Sequence, residues 1–72
     1  MSANSSSRFK LAERLLARSE ELVSIQVEII ERLKRLKSPT ETAEKLLLKL
    51  EQGVRHATEG RDLAAALATK LH

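Results

Sequence analysis

The sequence Ser38-Pro39-Thr40-Glu41 divides the 72-residue chain into two long stretches that both favour helix. Serine followed by proline, with glutamate three residues after the serine, is typical of a helix start. The serine caps the first N–H groups, and proline is tolerated in the first turn. Proline also disfavours helical geometry in the residue before it, so a preceding helix has to end there. The sequence therefore predicts two helices, at about residues 8–37 and 39–71, with almost no connection between them.

The whole chain is expected to be all-α. Leu, Ala, Glu, Lys and Arg dominate its composition, and no segment alternates apolar and polar residues as a half-buried strand does. Residues 1–7 are small and polar, so we expect a flexible N-terminal arm with Ser6 or Ser7 capping the first helix. Residues 8–72 then form a helical hairpin, because helices joined by a short connection pack as antiparallel neighbours.

Two glycines, Gly53 and Gly60, lie within the second helical stretch, and each weakens a helix by about 1 kcal/mol relative to alanine. A seven-residue apolar spacing runs across both of them, through Ala43, Leu50, Ala57, Ala64 and Leu71. A helix break would shift that spacing, so we expect one continuous helix rather than a short third one. Gly53 is expected opposite Leu22, where it either permits a close approach of the helices or has no special role.

The apolar residues of both helices cover more surface than one neighbour can hide. In the first helix Leu15, Leu22, Ile29 and Leu36 recur at intervals of seven, and flanking residues widen the apolar arc to roughly 200°. Helices that pack in pairs need a narrower seam. We therefore expect two hairpins to dimerise into a four-helix bundle. The residues expected at the interface are Leu15, Leu22, Gln26, Ile29, Leu36, Leu50, Val54, Ala57, Arg61 and Ala64.

Polar residues interrupt these apolar stripes at Gln26 and Arg61. Gln26 either lies at an edge with its amide in water, or is a buried polar residue that fixes register or oligomeric state. Arg61 points toward the middle of the second stripe, where its charge either reaches solvent or pairs with Glu13. A direct role for Arg61 in binding a partner is the alternative.

No residue pattern in the sequence predicts an enzyme, a metal site or a cofactor. Cysteine is absent, and neither His56 nor His72 has a second ligand at helical spacing. The first residues lack the apolar core of a signal peptide, and no stretch approaches the ~20 apolar residues of a membrane span. We therefore expect a non-enzymatic protein in the cytoplasm.

The first helix ends in a basic run, Arg32-Leu33-Lys34-Arg35-Leu36-Lys37, although the net charge of the chain is only +3. Arg32, Arg35 and Lys37 are the residues that would contact phosphates if this end bound nucleic acid. Favourable contact with the helix dipole explains the same run without a ligand, and no aromatic residue there can stack on bases. A membrane-surface helix is disfavoured because both charge signs occur on the polar faces.

The order of residues in both helices resembles that of small uncharacterised bacterial helical-hairpin proteins. In the second helix the resemblance lies in Thr42 to Glu51, His56 and Arg61-Asp62-Leu63, and in the first helix it lies in Ala17-Arg18 and Ile30 to Leu33. The resemblance spans about residues 15–63 and implies the fold, with no functional residue carried over. In size and layout the chain is also similar to the Rop type of RNA-binding hairpin dimer, at the level of fold alone.

Three functions are compatible with this pattern. The first is a homodimeric interaction or scaffold module, with the Leu15 to Leu36 line and the Ala43 to Leu71 line in the core of its bundle. The second is a small nucleic-acid-binding regulator that uses the basic end. The third is a co-chaperone or antitoxin-like subunit that offers its apolar stripe to another helical protein.

Overall fold

The computed structural model describes the backbone of residues 2–70 and the side chains of residues 7–70. Helix α1 spans Ser2–Arg35 and helix α2 spans Glu41–Lys70, and the two pack against each other as a hairpin. The Cα trace measures 55 × 14 × 11 Å, which is one helix long and two helices wide. The expected all-α hairpin is therefore confirmed.

The helix bounds differ from those predicted at three of the four ends. α1 begins at Ser2, so most of the segment expected as an arm is helical, and neither Ser6 nor Ser7 stands at the helix start. No glycine or proline occurs there to interrupt the backbone. α1 also ends two residues earlier than Lys37, and α2 starts two residues later than Pro39. The expected last residue of α2, Leu71, and the side chain of Ser6 lie outside the described part of the chain.

Helix α1 closes with hydrogen bonds that reach back over its last turn. The N–H of Ser38 donates to the carbonyl of Leu33 at 2.9 Å, and the N–H of Lys37 donates to the carbonyl of Lys34 at 3.1 Å. Lys37 adopts a left-handed conformation with φ 56°. This bonding pattern is a Schellman motif, whose left-handed position is usually glycine. The chain can reverse within a few residues because Lys37 accepts that conformation.

The predicted capping box at Ser38 and Glu41 is not formed. The N–H of Ser38, which a capping glutamate would need, is already bonded to Leu33 at the end of α1. Thr40 takes the capping position instead, since its carbonyl accepts the first helical bond from the N–H of Glu44 at 2.8 Å. The backbone hydrogen bonds of the turn thus complete the end of α1, and α2 starts after Pro39 rather than at it.

Helix α2 continues through both glycines, as predicted. The helices meet along a seam of buried and half-buried residues with alternating three- and four-residue spacing. On α1 the seam consists of Phe9, Ala12, Leu16, Ser19, Val23, Gln26, Ile30 and Leu33. From Thr40 along α2 it continues with Ala43, Leu47, Leu50, Val54, Ala57, Arg61, Ala64 and Ala68.

The core of the single hairpin is thin. Among the described side chains, only Leu16, Ile30 and Gln26 are classed as buried, with 8%, 6% and 6% of their surface exposed. The Ala43 to Ala64 part of the predicted α2 line lies in the seam. The Leu15 to Leu36 line lies one residue beside it, so its burial in a bundle stays a prediction.

Candidate interaction surface

The hairpin carries a second apolar line on each helix, directly beside the seam. On α1 we call it the leucine ridge, which consists of Leu15, Leu22, Ile29 and Leu36. On α2 we call it the glycine groove, which consists of Leu46, Gly53, Gly60 and Leu67. Successive residues are 100° apart around a helix, so positions that precede the seam residues by one all turn to the same side of their helix.

The ridge and the groove lie on one face of the hairpin, which we call the apolar face. A hollow of about 400 Å³ near the open end brings Leu11 and Leu15 of α1 together with Gly60 of α2. Ala12, Ala57 and Ala64 form its floor at the seam, and Arg8 and His56 complete its lining. The helices are antiparallel, so the ridge and the groove then run side by side along the whole face.

Large apolar side chains on this face remain in contact with solvent. Leu15 is 56% exposed and Leu36 is 68% exposed, although both are leucines. The other strongly exposed large apolar residues of the apolar face are Leu11, Ile25, Ile29, Leu46, Leu63 and Leu67. A contiguous apolar strip of this kind marks an interaction surface more often than a free surface of a monomer.

The opposite face is predominantly polar. One of its hollows is lined by Glu20, Ser24, Glu51 and Arg55 on either side of the seam valines. A second hollow, nearer the turn, adds Glu31, Lys34 and Glu44. Val27 and Leu48 are the strongly exposed large apolar residues on this side. The polarity of the two faces therefore differs, and only one of them is suited to burial.

Charged residues of the apolar face are all basic, and they lie at its outer edges or, in the case of Arg8, at the open end in line with the ridge. Arg18 and Arg32 alternate with Leu11 and Ile25 on the outer side of the ridge. Beyond the groove the corresponding residues are Thr42, Lys49, His56 and Leu63. Long basic side chains at such edges can extend to water while their methylene groups cover apolar neighbours.

The remaining surface of the hairpin is the outer rim, which lies opposite the seam on each helix. Its members are exposed and recur every seven residues: Arg14, Glu21, Glu28 and Arg35 on α1, and Lys45, Gln52, Glu59 and Ala66 on α2. The described side chains form ion pairs between Arg18 and Glu21 and between Arg61 and Asp62. The charges of Arg14, Glu28, Lys45 and Glu59 therefore have no partner within 4 Å among the residues described.

Gln26 is buried in the seam and not at a wetted edge. Its Nε2 donates a hydrogen bond of 2.8 Å to the backbone carbonyl of Ala43 on the facing helix. A buried polar residue that bonds to one specific carbonyl fixes the relative position of the helices. Gln26 is thus the buried polar residue of the second interpretation, and its role in fixing the register stays a prediction.

Arg61 lies in the seam but pairs with its neighbour and not with Glu13. Its Nη2 and Nε approach Oδ1 of Asp62 at 2.9 Å and 3.2 Å. Arg61 occupies a half-buried seam position, and its guanidinium bonds to Asp62, which follows it on the polar side. Solvent reaches both side chains, which are 38% and 64% exposed, so the contribution of the pair to stability is small.

Neither glycine of the groove is required by the hairpin itself. A Cβ built at Gly53 or at Gly60 would meet no atom within 4 Å. The helices therefore do not approach closely at Gly53, which was one of its two predicted roles. The space in front of both glycines opens outward from the apolar face, where another molecule can occupy it.

The basic residues near the turn lie on more than one side of α1. Arg32, Arg35 and Lys37, which were predicted to contact phosphates, are all exposed. Arg32 and Arg35 are one turn apart on the same side of α1, whereas Lys34 lines the hollow with Glu31 and Glu44 on the polar face. Within the described residues, no group of three or more acidic or histidine side chains could hold a metal ion.

The predicted interface residues fall into two sets. Gln26, Leu50, Val54, Ala57, Arg61 and Ala64 line the seam, and Leu15, Leu22, Ile29 and Leu36 form the ridge. The sequence analysis did not predict Phe9, Leu16 and Ile30 as seam residues, and it did not predict the groove as a surface. The three- and four-residue spacing through Ser19 and Gln26 was the available signal, but those polar residues obscured it.

Comparison with protein-family models, with curated proteins and with solved structures finds no match to this chain. Over its described residues, neither helix is both long enough and apolar enough to cross a membrane.

Proposed function

We propose that this chain is a non-enzymatic interaction module whose apolar face packs against a second copy, so that two hairpins form a four-helix bundle. The exposure of Leu15, Ile29 and Leu36 in the leucine ridge is the observation that carries the proposal. Leu15 and Leu36 expose more than half of their surface in the hairpin, although each would favour burial by about 1.5–3 kcal/mol. A second copy has an identical apolar face, whose burial is equally favourable.

The surface area of the hairpin supports the need for a partner. Its accessible surface is 5921 Å², whereas a compact monomer of 8.1 kDa exposes about 4,500 Å² according to the usual scaling with mass. A standard interface takes about 800 Å² from each partner. A face of 55 × 14 Å, with a projected area of about 770 Å², supplies that amount.

The charges of the hairpin are also compatible with a second copy. The ridge and groove contain no charged residue, so closing one apolar face on another need not bury an ion without a partner. The basic residues at the edges of the face keep access to water. The outer rim contains both signs of charge, which two copies can bring together.

The proposal is tested by sedimentation of the full chain at micromolar concentrations. We expect a species of twice the 8.1 kDa chain mass. Leu15→Asp introduces a carboxylate into the apolar face and should give a monomer. A folded wild-type monomer at tens of micromolar would exclude the homodimer.

Leu48→Asp is the matched control for that variant. Leu48 and Leu15 are similarly exposed, at 61% and 56%, but Leu48 lies on the polar face. The same chemical change there should leave the dimer intact. Equal effects of the two substitutions would mean that the apolar face has no special part in association. If the chain associates only when a different protein is added, the hetero-complex takes the place of the homodimer.

Nucleic-acid binding is a second candidate because Arg32, Arg35 and Lys37 are exposed at one end of the hairpin. Binding through such contacts weakens steeply as salt increases. Titration of a fluorescent duplex at low and at physiological salt, with an Arg32→Gln/Arg35→Gln variant as comparison, tests this candidate. A cytoplasmic location stays a prediction.

A further inference from the structure

We infer that in the dimer the leucine ridge of each copy packs into the glycine groove of the other, with both turns at the same end. The inference rests on the proposed homodimer and specifies its arrangement. A twofold axis parallel to the helices keeps each residue at its own height and places α1 of one copy over α2 of its partner. A twofold axis across the helices would instead place α1 over α1, with the turns at opposite ends.

The sizes of the side chains favour the first arrangement. Leu15 and Gly60 line one hollow of the hairpin and therefore lie at similar heights. Both lines repeat every seven residues, so Leu22 lies near the height of Gly53. When α1 is placed over α2 of the second copy, Leu15 and Leu22 meet Gly60 and Gly53, and Ile29 meets Leu46. The open space in front of each glycine is then filled.

The alternative arrangement packs surfaces that do not match. With α1 over α1, the leucine ridge of one copy meets the leucine ridge of the other. The glycine grooves also meet, so Gly53 and Gly60 lie against glycines of the second copy. One side of the bundle would be overfilled and the other would contain voids, and both defects cost stability.

The charges of the outer rim match in the ridge-into-groove arrangement. Arg14 precedes Leu15 by one residue and Glu59 precedes Gly60 by one, so these two residues lie at similar heights. Glu28 and Lys45 are likewise at similar heights, because their neighbours Val27 and Glu44 line one hollow. Stacking α1 on α2 of the second copy therefore places opposite charges at the same height on neighbouring helices, twice on each side of the bundle.

Cysteine cross-linking tests the arrangement directly, because the chain has no cysteine of its own. Leu22→Cys and Gly53→Cys chains carry tags of different size, and they are oxidised mildly either separately or as a mixture. We expect the mixture to give a disulfide-linked pair that contains one chain of each kind. The separate samples should give little cross-linking. Leu15→Cys with Gly60→Cys is a second pair with the same expectation.

The other outcomes separate failure of the arrangement from failure of the dimer. Leu22→Cys chains that cross-link efficiently to each other would overturn the ridge-into-groove packing while leaving a homodimer. Variants that remain monomeric in sedimentation and give no more cross-linking than Leu48→Cys on the polar face would overturn both proposals. Each variant is first checked for wild-type helix content by circular dichroism.

A charge reversal gives an independent readout. Glu28→Lys should weaken dimerisation by about tenfold at low salt, because two rim pairs per dimer become repulsive. Adding Lys45→Glu in the same chain should restore dimerisation, since the two reversed residues then meet across the interface. A double variant weaker than Glu28→Lys alone would overturn the arrangement, because it would show that Glu28 and Lys45 do not face each other.

Discussion

The side-chain amide of Gln26 and the backbone carbonyl of Ala43 join the two helices by a hydrogen bond of 2.8 Å. The bond lies in the part of the hairpin nearest the turn, with Ile30 one turn further along α1. Most other seam contacts are apolar and tolerate sliding, whereas this one has a single donor and a single acceptor. We therefore expect it to fix which residues of α1 lie opposite which residues of α2.

Replacing Gln26 tests that contact. Gln26→Ala should lower the free energy of unfolding by about 1–2 kcal/mol, because a hydrogen bond and part of a thin core are lost. Urea unfolding at a fixed chain concentration measures the effect. Gln26→Leu, which keeps the volume, is the control and should cost less than the alanine variant. Wild-type stability of Gln26→Ala would show that the amide is not needed in the seam.

Lys37 is the residue where a substitution should stabilise the hairpin. Its left-handed backbone, with φ 56°, is costly for a residue with a Cβ and nearly free for glycine. Lys37→Gly should raise the free energy of unfolding by about 1 kcal/mol. Lys37→Ala removes the same charge without relieving the backbone, so it should give no gain. A loss of stability in the glycine variant would contradict the Schellman turn.

Leu15 and Leu16 are neighbours in sequence with different structural roles. Leu16→Ala removes a buried seam side chain and should destabilise the isolated hairpin by about 2 kcal/mol. Leu15→Ala should leave the isolated hairpin nearly unchanged and should raise the dimer dissociation constant. Circular dichroism at low concentration reports the first effect, and sedimentation reports the second. Equal loss of helix in both variants would place Leu15 in the seam as well.

A large side chain in the groove should weaken dimerisation without weakening the fold of the hairpin. Gly60→Leu has room within the hairpin, since a Cβ there meets nothing within 4 Å, and leucine favours helix over glycine. Its side chain would occupy the space proposed for Leu15 of the second copy. We expect unchanged or higher helix content and at least about tenfold weaker dimerisation by sedimentation. Ala66→Leu on the outer rim is the control, and dimerisation as tight as wild type in Gly60→Leu would contradict the packing.

Much of the hairpin follows from local rules that the sequence contains by itself. Pro39 limits the helix before it, the long stretches on either side lack other prolines, and a short joint makes the helices antiparallel. The surplus of apolar residues is likewise evident without coordinates, because helical periodicity alone gives the width of each stripe. These features depend on residues that are neighbours in sequence or one turn apart.

The tertiary structure decided which apolar line became the seam. Two lines on α1, offset by one residue, compete for α2. The more apolar one, through Leu15 and Leu36, is left exposed, while the line through Leu16 and Gln26 packs. That choice depends on both helices at once, because the bond from Gln26 to Ala43 exists only when they meet. The turn at Lys37 also influences how the two helices are positioned. Local propensity does not predict this turn, because a lysine rarely adopts the left-handed conformation.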